Sequence, residues 1–537
     1  VGDGAFVNCE ALTDVCYKGS LSGWMRIDML ADTYPEETCP LSFASRLYVD
    51  YGTDNQQIVT DLVVPEDITT VKDYAFAGYK GLTSAVFPAH VKEIGREAFS
   101  YCTQLAQAEI HAQRIGGYAF FYCNRLKNVV IGKEVNFIGA MSFNYVNPTQ
   151  TQYEGTLDEW CRIYFASASA NPSASGKLYI GGSEIGSELV LPSTLTSVGQ
   201  YAFYRCWSIT SLVIPENIRE IGESAFSNCP NLVSVTVASP AKKAMNTLAQ
   251  EGLSLGDYAF QGCAKLADIN LSASLAGIGT GAFDGTAWLN AQPDGVVYLS
   301  TFAYKYKGTM AEGTTLALLD GTTDVCGRAF NNCWNLAGID LPESLKTIGK
   351  EAFSGTGLLS VSLPSRIDST GEGAFSGCDK LVSATLPENL TTIPASMFSR
   401  CYALAAISIP ASVEYIGNEA FYSCLGLKEI TSFNPVPPVC EPFYGENWTM
   451  VFDGVNPEHC TLKIPTGSTA SYAAAVGWDM FYLCEEFDPS GIQGVLKGKA
   501  SGKTVHYDLN GRMILSNAKG IHIVREADGS CRKIWVK

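Results

Sequence analysis

The chain of 537 residues is short of positive charge: 37 Lys and Arg stand against 54 Asp and Glu, giving a net charge of −17. Nucleic acid needs a basic stripe and an anionic membrane surface attracts polybasic segments, so this balance argues against both partners. No run of 18 apolar residues occurs, which leaves no candidate transmembrane helix. Histidine is scarce. His90, His111, His459, His506 and His522 are the full set, and no two stand at metal-ligand spacing. The 18 cysteines include no Cys-x-x-Cys pair. His-Glu-x-x-His is missing too, which removes the metalloprotease helix. Gly181-Gly182 lacks the Lys-Ser/Thr of a phosphate loop, and Asp508-Leu509-Asn510-Gly511 lacks the distal Glu of a calcium loop and reads as a hairpin turn. The expectation is a non-catalytic chain with no cofactor and no metal.

What the sequence does contain is a beat. The pair Ala-Phe recurs with a Cys three residues after the Phe, at Phe99/Cys102, Phe120/Cys123, Phe203/Cys206, Phe226/Cys229, Phe260/Cys263, Phe375/Cys378 and Phe421/Cys424. Steps of 23 link Phe76 to Phe99, Phe203 to Phe226, Phe260 to Phe283, Phe330 to Phe353, and Phe375 to Phe398 to Phe421. Phe353 to Phe375 is 22 and Phe99 to Phe120 is 21. A fixed period in this range marks a solenoid, whose single coil cannot bury its apolar face until a neighbour stacks on it.

A full unit reads Ile214-Pro215, Ile218, Ile221-Gly222, Ala225-Phe226, Cys229, Leu232, Val235, Val237, and the order returns from Leu341 to Leu363. Leu-x-x-Val-x-Ile alternates like a short strand, and Pro ends it because it cannot donate to a ladder. Gly after Ile is expected to permit a turn, and Ala-Phe to open a brief helical or 3₁₀ turn with Phe between coils. Ten cysteines keep the beat, and they read as a buried packing ladder, since free Cys is among the most buried residue types. Tyr79, Thr286 and Thr356 replace Cys at that position, which a ligand set would not tolerate. Of the other eight, Cys440 and Cys460 could bridge.

This unit resembles the BspA-like, Treponema pallidum type, class of bacterial leucine-rich repeats over most of residues 1–485. The resemblance implies a right-handed superhelix of coils with a parallel sheet on one face. Its inserts match as well. Tyr17-x-Gly19, Trp24 and Ile27 reappear at the same offsets as Tyr153-x-Gly155, Trp160 and Ile163, so one element is duplicated. The solenoid is assigned to 1–485, with a truncated first repeat (1–16), inserts at about 17–64, 147–191, 238–253 and 286–325, and a cap at 432–485. Within these, 238–253 reads as a surface helix and 288–307 as a β-hairpin. A linker (486–500) leads to a small tail (501–537) with three expected strands. The tail resembles the C-terminal β-domain of secreted Bacteroidetes proteins, some of which use it for sorting. An opening at Gly4-Ala5-Phe6, inside a repeat, suggests that an export signal precedes residue 1, and the expected location is extracellular or on the outer surface.

Two surfaces are candidates for a partner. The outward positions of the sheet are small and mildly acidic, with Glu109, Asp268, Asp340 and Glu429 and with no Lys, Arg or aromatic residue in the repeats. The inserts are aromatic, and Trp24, Trp160, Trp288, Tyr304 and Tyr306 could present rings, or could simply pack the hairpins onto the solenoid. Family resemblance implies adhesion to host or bacterial proteins. Glycan binding or a purely structural role is the alternative, and a hydrolase is a weaker third.

Overall fold

The computed structural model describes residues 1–30, 38–238, 252–271, 275–445 and 448–489, with the strands Val505–Tyr507, Met513–Ile514, Gly520–Arg525 and Cys531–Val536. It is a parallel-strand solenoid that divides into two compact units, Val1–Thr309 with Asp324–Ala329, and Met310–Thr323 with Phe330–Lys537.

In the first unit the strands Asp61–Val63, Ser84–Phe87, Gln107–Ile110, Asn128–Ile131, Gln150–Tyr153 and Lys177–Ile180 lie side by side in parallel, one per coil. Ala85, Ala108, Val129 and Thr151 stand opposite one another and face inward, as the alternation requires. A second, narrower parallel ladder follows each main strand, at Thr70–Val71, Glu93–Ile94, Arg114–Ile115, Phe137–Ile138 and Tyr164–Phe165. Phe76, Phe99, Phe120 and Phe143 are buried between the ladders as a stack, with ring centroids 5.2, 5.5 and 5.3 Å apart. Full burial of one such ring contributes about 1.5–3 kcal/mol.

The Gly after Ile serves a different purpose from the expected turn. A Cβ on Gly139 would lie 2.5 Å from the backbone nitrogen of Gly117, and one on Gly222 would lie 2.7 Å from that of Gln200. These glycines let consecutive coils approach, and they do not have positive φ.

Positive φ lies two residues either side of Phe instead, at Glu97 and Tyr101 around Phe99, Tyr118 and Tyr122 around Phe120, and Met141 and Tyr145 around Phe143. The i→i−3 bonds of a 3₁₀ turn form, as from Ala77 N–H to Tyr74 O, but the left-handed residues stop them from propagating into helix. The N–H groups freed in this way reach the next coil. Tyr74, Phe76 and Gly78 donate to Arg96 O, Ala98 O and Ser100 O, and the same triple recurs from Tyr118, Phe120 and Tyr122.

The second unit repeats the plan. Ser360–Ser362, Ser383–Thr385, Ala406–Ile409, Glu429–Ser432, Thr461–Pro465 and Leu483–Phe487 form one parallel sheet. Its ring stack runs from Phe330 through Phe353, Phe375, Phe398 and Phe421 to Phe452, one rung beyond the expected end of the repeat. The cap is closed by buried Trp478, whose Nε1 donates to Pro438 O at 2.8 Å, and by Tyr472, whose hydroxyl donates to Asn434 O and accepts from Ser432 Oγ, both at 2.7 Å. The four tail strands pair antiparallel, one more than expected. The predicted surface helix at 238–253 lies almost wholly outside the described residues, as do most of the linker and the tail turns.

Candidate functional site

The duplicated insert uses its tryptophan as an internal fastener. A Ser20-capped helix, Leu21–Met25, carries Trp24, and a helix with a Thr156/Glu159 capping box, Leu157–Arg162, carries Trp160. Trp24 Nε1 donates to Ala75 O and Trp160 Nε1 to Ala202 O, both at 2.9 Å, so each insert grips the Ala-Phe pair of the coil after it. Both rings are buried, 4% and 0% exposed. Tyr304 is buried as well, and its hydroxyl receives Phe283 N–H at 2.8 Å while donating to Asp284 Oδ1 at 2.9 Å. Trp288 and Tyr306 are half-buried, with Trp288 packed against Phe283. Of the two readings open for the insert rings, Trp24, Trp160 and Tyr304 take the packing one and are withdrawn as partner-binding candidates, because each has a buried polar tip that needs a partner inside the coil.

The acidic sheet positions are at the surface, with Glu109, Asp268 and Asp340 exposed and Glu429 half-buried. They do not form one cluster. Glu109 Oε1 lies 3.0 Å from His111 Nε2, and Glu429 Oε2 lies 2.6 Å from Lys463 Nζ on the next strand. Lys463, and Lys177 in the insert strand, place cations on a face that has none within the repeats themselves. Among the described residues no group of three or more His, Cys, Asp or Glu is arranged to hold a metal ion.

The cysteine beat is a thiol ladder. Cys102, Cys123, Cys229, Cys263, Cys378, Cys401 and Cys424 each donate to the carbonyl of the Phe one coil earlier, at 3.0–3.2 Å. Where Thr286 and Thr356 intrude, their hydroxyls donate to Phe283 O and Phe353 O, while Tyr79 turns its hydroxyl to Val59 O. The 17 cysteines from Cys9 to Cys484 are free thiols, Cys440 and Cys460 included. Burial pushes the Cys39, Cys424 and Cys440 thiols up to about 12, so they are poor nucleophiles.

The exposed aromatic side chains lie elsewhere. Trp207 (58% exposed) in the first unit, and Trp334 (70%) and Tyr402 (46%) in the second, each follow a ladder cysteine directly. The signal was available: with Cys fixed inward, the next residue points out. Tyr101, Tyr122 and Tyr145 sit at the left-handed position two residues past Phe, with φ of 58°, 59° and 57°, where other coils hold Gly78, Gly262 and Gly285 or the polar residues Arg205, Asn228, Asn332, Arg400 and Ser423. Left-handed geometry costs a residue with Cβ about 1–2 kcal/mol. Tyr101 meets Phe121 and Tyr122 at 5.4 and 5.5 Å, and Tyr145 meets both at 5.5 Å. A cavity of about 290 Å³ bordered by Phe43, Lys80 and Tyr101 adjoins one end of this row, and one of about 370 Å³ bordered by Tyr145, Tyr204 and Arg205 adjoins the other. No helix among the described residues is long and apolar enough to cross a membrane.

No curated protein matches the chain. Solved structures similar to it include a leucine rich cell surface protein from Faecalibacterium prausnitzii, at 18% identity over 80% of this chain and 96% of that one, with a TM-score of 0.28. A leucine-rich repeat protein from Bacteroides ovatus is also 18% identical, over 83% and 98%, with a TM-score of 0.28. The T. pallidum leucine rich repeat protein is 24% identical over 45% and 78%, with a TM-score of 0.19. The family profile of the BspA type leucine rich repeat region matches residues 53–171, 183–292, 245–307 and 323–439. That is more than half of the sequence, and the chain belongs to the BspA type leucine-rich-repeat family.

Proposed function

We propose that this protein is a secreted or cell-surface, non-catalytic interaction module that adheres to a host or bacterial protein. The observation that carries the reading is the set of bare aromatic side chains at the residue after the ladder cysteine. Trp334 and Tyr402, with exposed Leu425 on the coil after Tyr402, lie outside the packing of the second unit. Trp and Tyr are the residue types that dominate protein hot spots. Of the insert rings only Trp288 and Tyr306 remain candidates, and Glu109, Asp268, Asp340 and Glu429 would set the charge of the sheet face. We keep the domain limits read from the sequence, a solenoid over 1–485, a linker and a tail over 501–537; the strand assigned to the cap runs through Phe487. The antiparallel tail would serve sorting or attachment and not recognition.

The test is binding of the full chain to immobilised extracellular-matrix proteins and to whole bacterial cells. The double variant Trp334→Ala/Tyr402→Ala is expected to lose at least tenfold in affinity, and deletion of 501–537 to leave it unchanged. Undiminished binding by the double variant, or steady turnover of a peptide or glycan, would sink this reading.

A further inference from the structure

Three consecutive coils of the first unit place tyrosine where the backbone suits glycine, at Tyr101, Tyr122 and Tyr145. Core packing does not explain them, because Tyr122 is 40% and Tyr145 60% exposed. Strain kept at exposed side chains points to a use outside the fold. With Phe121 the three rings form one continuous patch.

The patch is also the place where this acidic protein turns basic. Lys80 borders the cavity at the Tyr101 end and Arg205 the cavity at the Tyr145 end, and no Asp or Glu borders either. Arg96 lies over the ring of Tyr118, 5.7 Å from its centroid, beside the same row, and its charge is paired with Glu97 Oε1 at 3.2 Å, so the positive charge offered to a ligand is that at the two ends. The duplicated inserts do not break the row. They build its two ends, since Phe43 comes from the first insert and Ser169 and Ser175 from the second. Phe143 N–H donates to Ser169 O, which keeps the coil step through the second insert. From Gly78 to Arg205 the edge advances five coils, about 24 Å at the spacing of neighbouring strands.

We propose that this strip binds an anionic polysaccharide laid along the stack, with sugar rings on the tyrosine faces and carboxylate or sulfate groups at Lys80 and Arg205. A pyranose offers a flat face of C–H groups to an aromatic ring and hydroxyls to the amides and hydroxyls at its rim, here Thr103, Asn144, Asn147 and Ser175. An extended peptide would need side-chain pockets at alternate positions. Val146 is the one branched aliphatic residue bordering either cavity. The charge at the two ends selects for an anion over a neutral glycan. This surface and ligand are separate from the protein-binding edge of the second unit, so either can fail alone.

The test uses the full chain in affinity electrophoresis and calorimetry, with polygalacturonate, dextran sulfate, neutral dextran and poly-glutamate as probes. Binding to polygalacturonate or dextran sulfate is expected, weakening as salt rises, with neutral dextran at least tenfold weaker. Polygalacturonate alone would identify a carboxylate site and dextran sulfate alone a sulfate site. Tyr122→Ala/Tyr145→Ala is expected to lose at least tenfold, and Lys80→Glu/Arg205→Glu to abolish binding. Tyr122→Gly suits the backbone, so it should lose affinity with little change in melting temperature, which separates recognition from folding. No binding to either anionic polysaccharide, equal binding of neutral dextran, equal competition by poly-glutamate, or wild-type affinity in the tyrosine variants would each overturn the proposal.

Discussion

The coils around Phe99, Phe120 and Phe143 and those around Phe353 and Phe375 share one backbone. The residue two places past Phe has φ of 57–59° in the first group and 68–69° in the second. The first group places Tyr there and the second Gly355 and Gly377. One conformation is thus held in two ways, once with an exposed ring and once with no side chain. Stability favours glycine at such a position. Arg205, Arg400 and Ser423 hold the same position in other coils, so the row of rings, and not the backbone, is what sets the first group apart.

Both units carry buried thiols and should respond alike to alkali. Burial raises the thiols at Cys39, Cys424 and Cys440 from the usual 9.0 to about 12, and those at Cys206 and Cys460 to about 11. The folded chain keeps these protons while the unfolded chain releases them. The stabilisation is therefore complete below about pH 9 and is lost as pH rises towards 11–12. Circular dichroism against pH should show cooperative alkaline unfolding in that window, with Cys206→Ala and Cys424→Ala shifted to higher pH. Next in size, Phe120→Ala and Phe375→Ala should each cost about 3–5 kcal/mol, read as a fall in the urea midpoint. Unequal losses would mean that the ring stack is not equivalent in the two groups.

Tryptophans sharpen the contrast between inside and outside. Trp160→Ala should cost about 3–5 kcal/mol, because it opens a cavity and leaves Ala202 O without its indole donor. Trp334→Ala should stay within about 0.5 kcal/mol of wild type, as surface changes do. The smallest effects address the left-handed position itself. Gly377→Ala should cost about 1–2 kcal/mol. In Tyr122→Gly, relief of that strain offsets the loss of ring contacts, themselves about 0.5–1.5 kcal/mol. Its urea midpoint should therefore stay near that of wild type, and a large loss would show that the tyrosine row supports the fold.

The solenoid was legible because a stacked coil must repeat its inward side chains, and Phe, Cys and the strand residues recur at a fixed interval. The duplicated insert was legible for the same reason, through Tyr17/Trp24 and Tyr153/Trp160. The backbone of the turn was not. Its left-handed positions carry Glu97, Tyr118, Met141, Arg328 and Ser396 as well as glycine, because coil-to-coil hydrogen bonds impose a geometry that local preference would refuse. Exposure of tryptophan was legible only through its place in the unit. Trp207 directly follows a ladder cysteine and faces water, whereas Trp160 sits on the insert helix Leu157–Arg162 and anchors a coil. The second cation on the sheet, Lys463, was missed because its strand lies past the last full repeat.

The turn edge has a further consequence. At Tyr74, Phe76 and Gly78, and again at Tyr118, Phe120 and Tyr122, the N–H groups all point towards the later coil while the carbonyls that receive them point back. Antiparallel pairing would cancel such peptide dipoles, whereas here three per coil add in one direction, as they do along a helix. The turn edge is therefore locally polar, with its positive pole towards the later coils, whereas Thr83, Lys92 and Gly95 donate back to the earlier coil and oppose it elsewhere in the stack. The tyrosine row rides on that edge, where the three dipoles of each coil add.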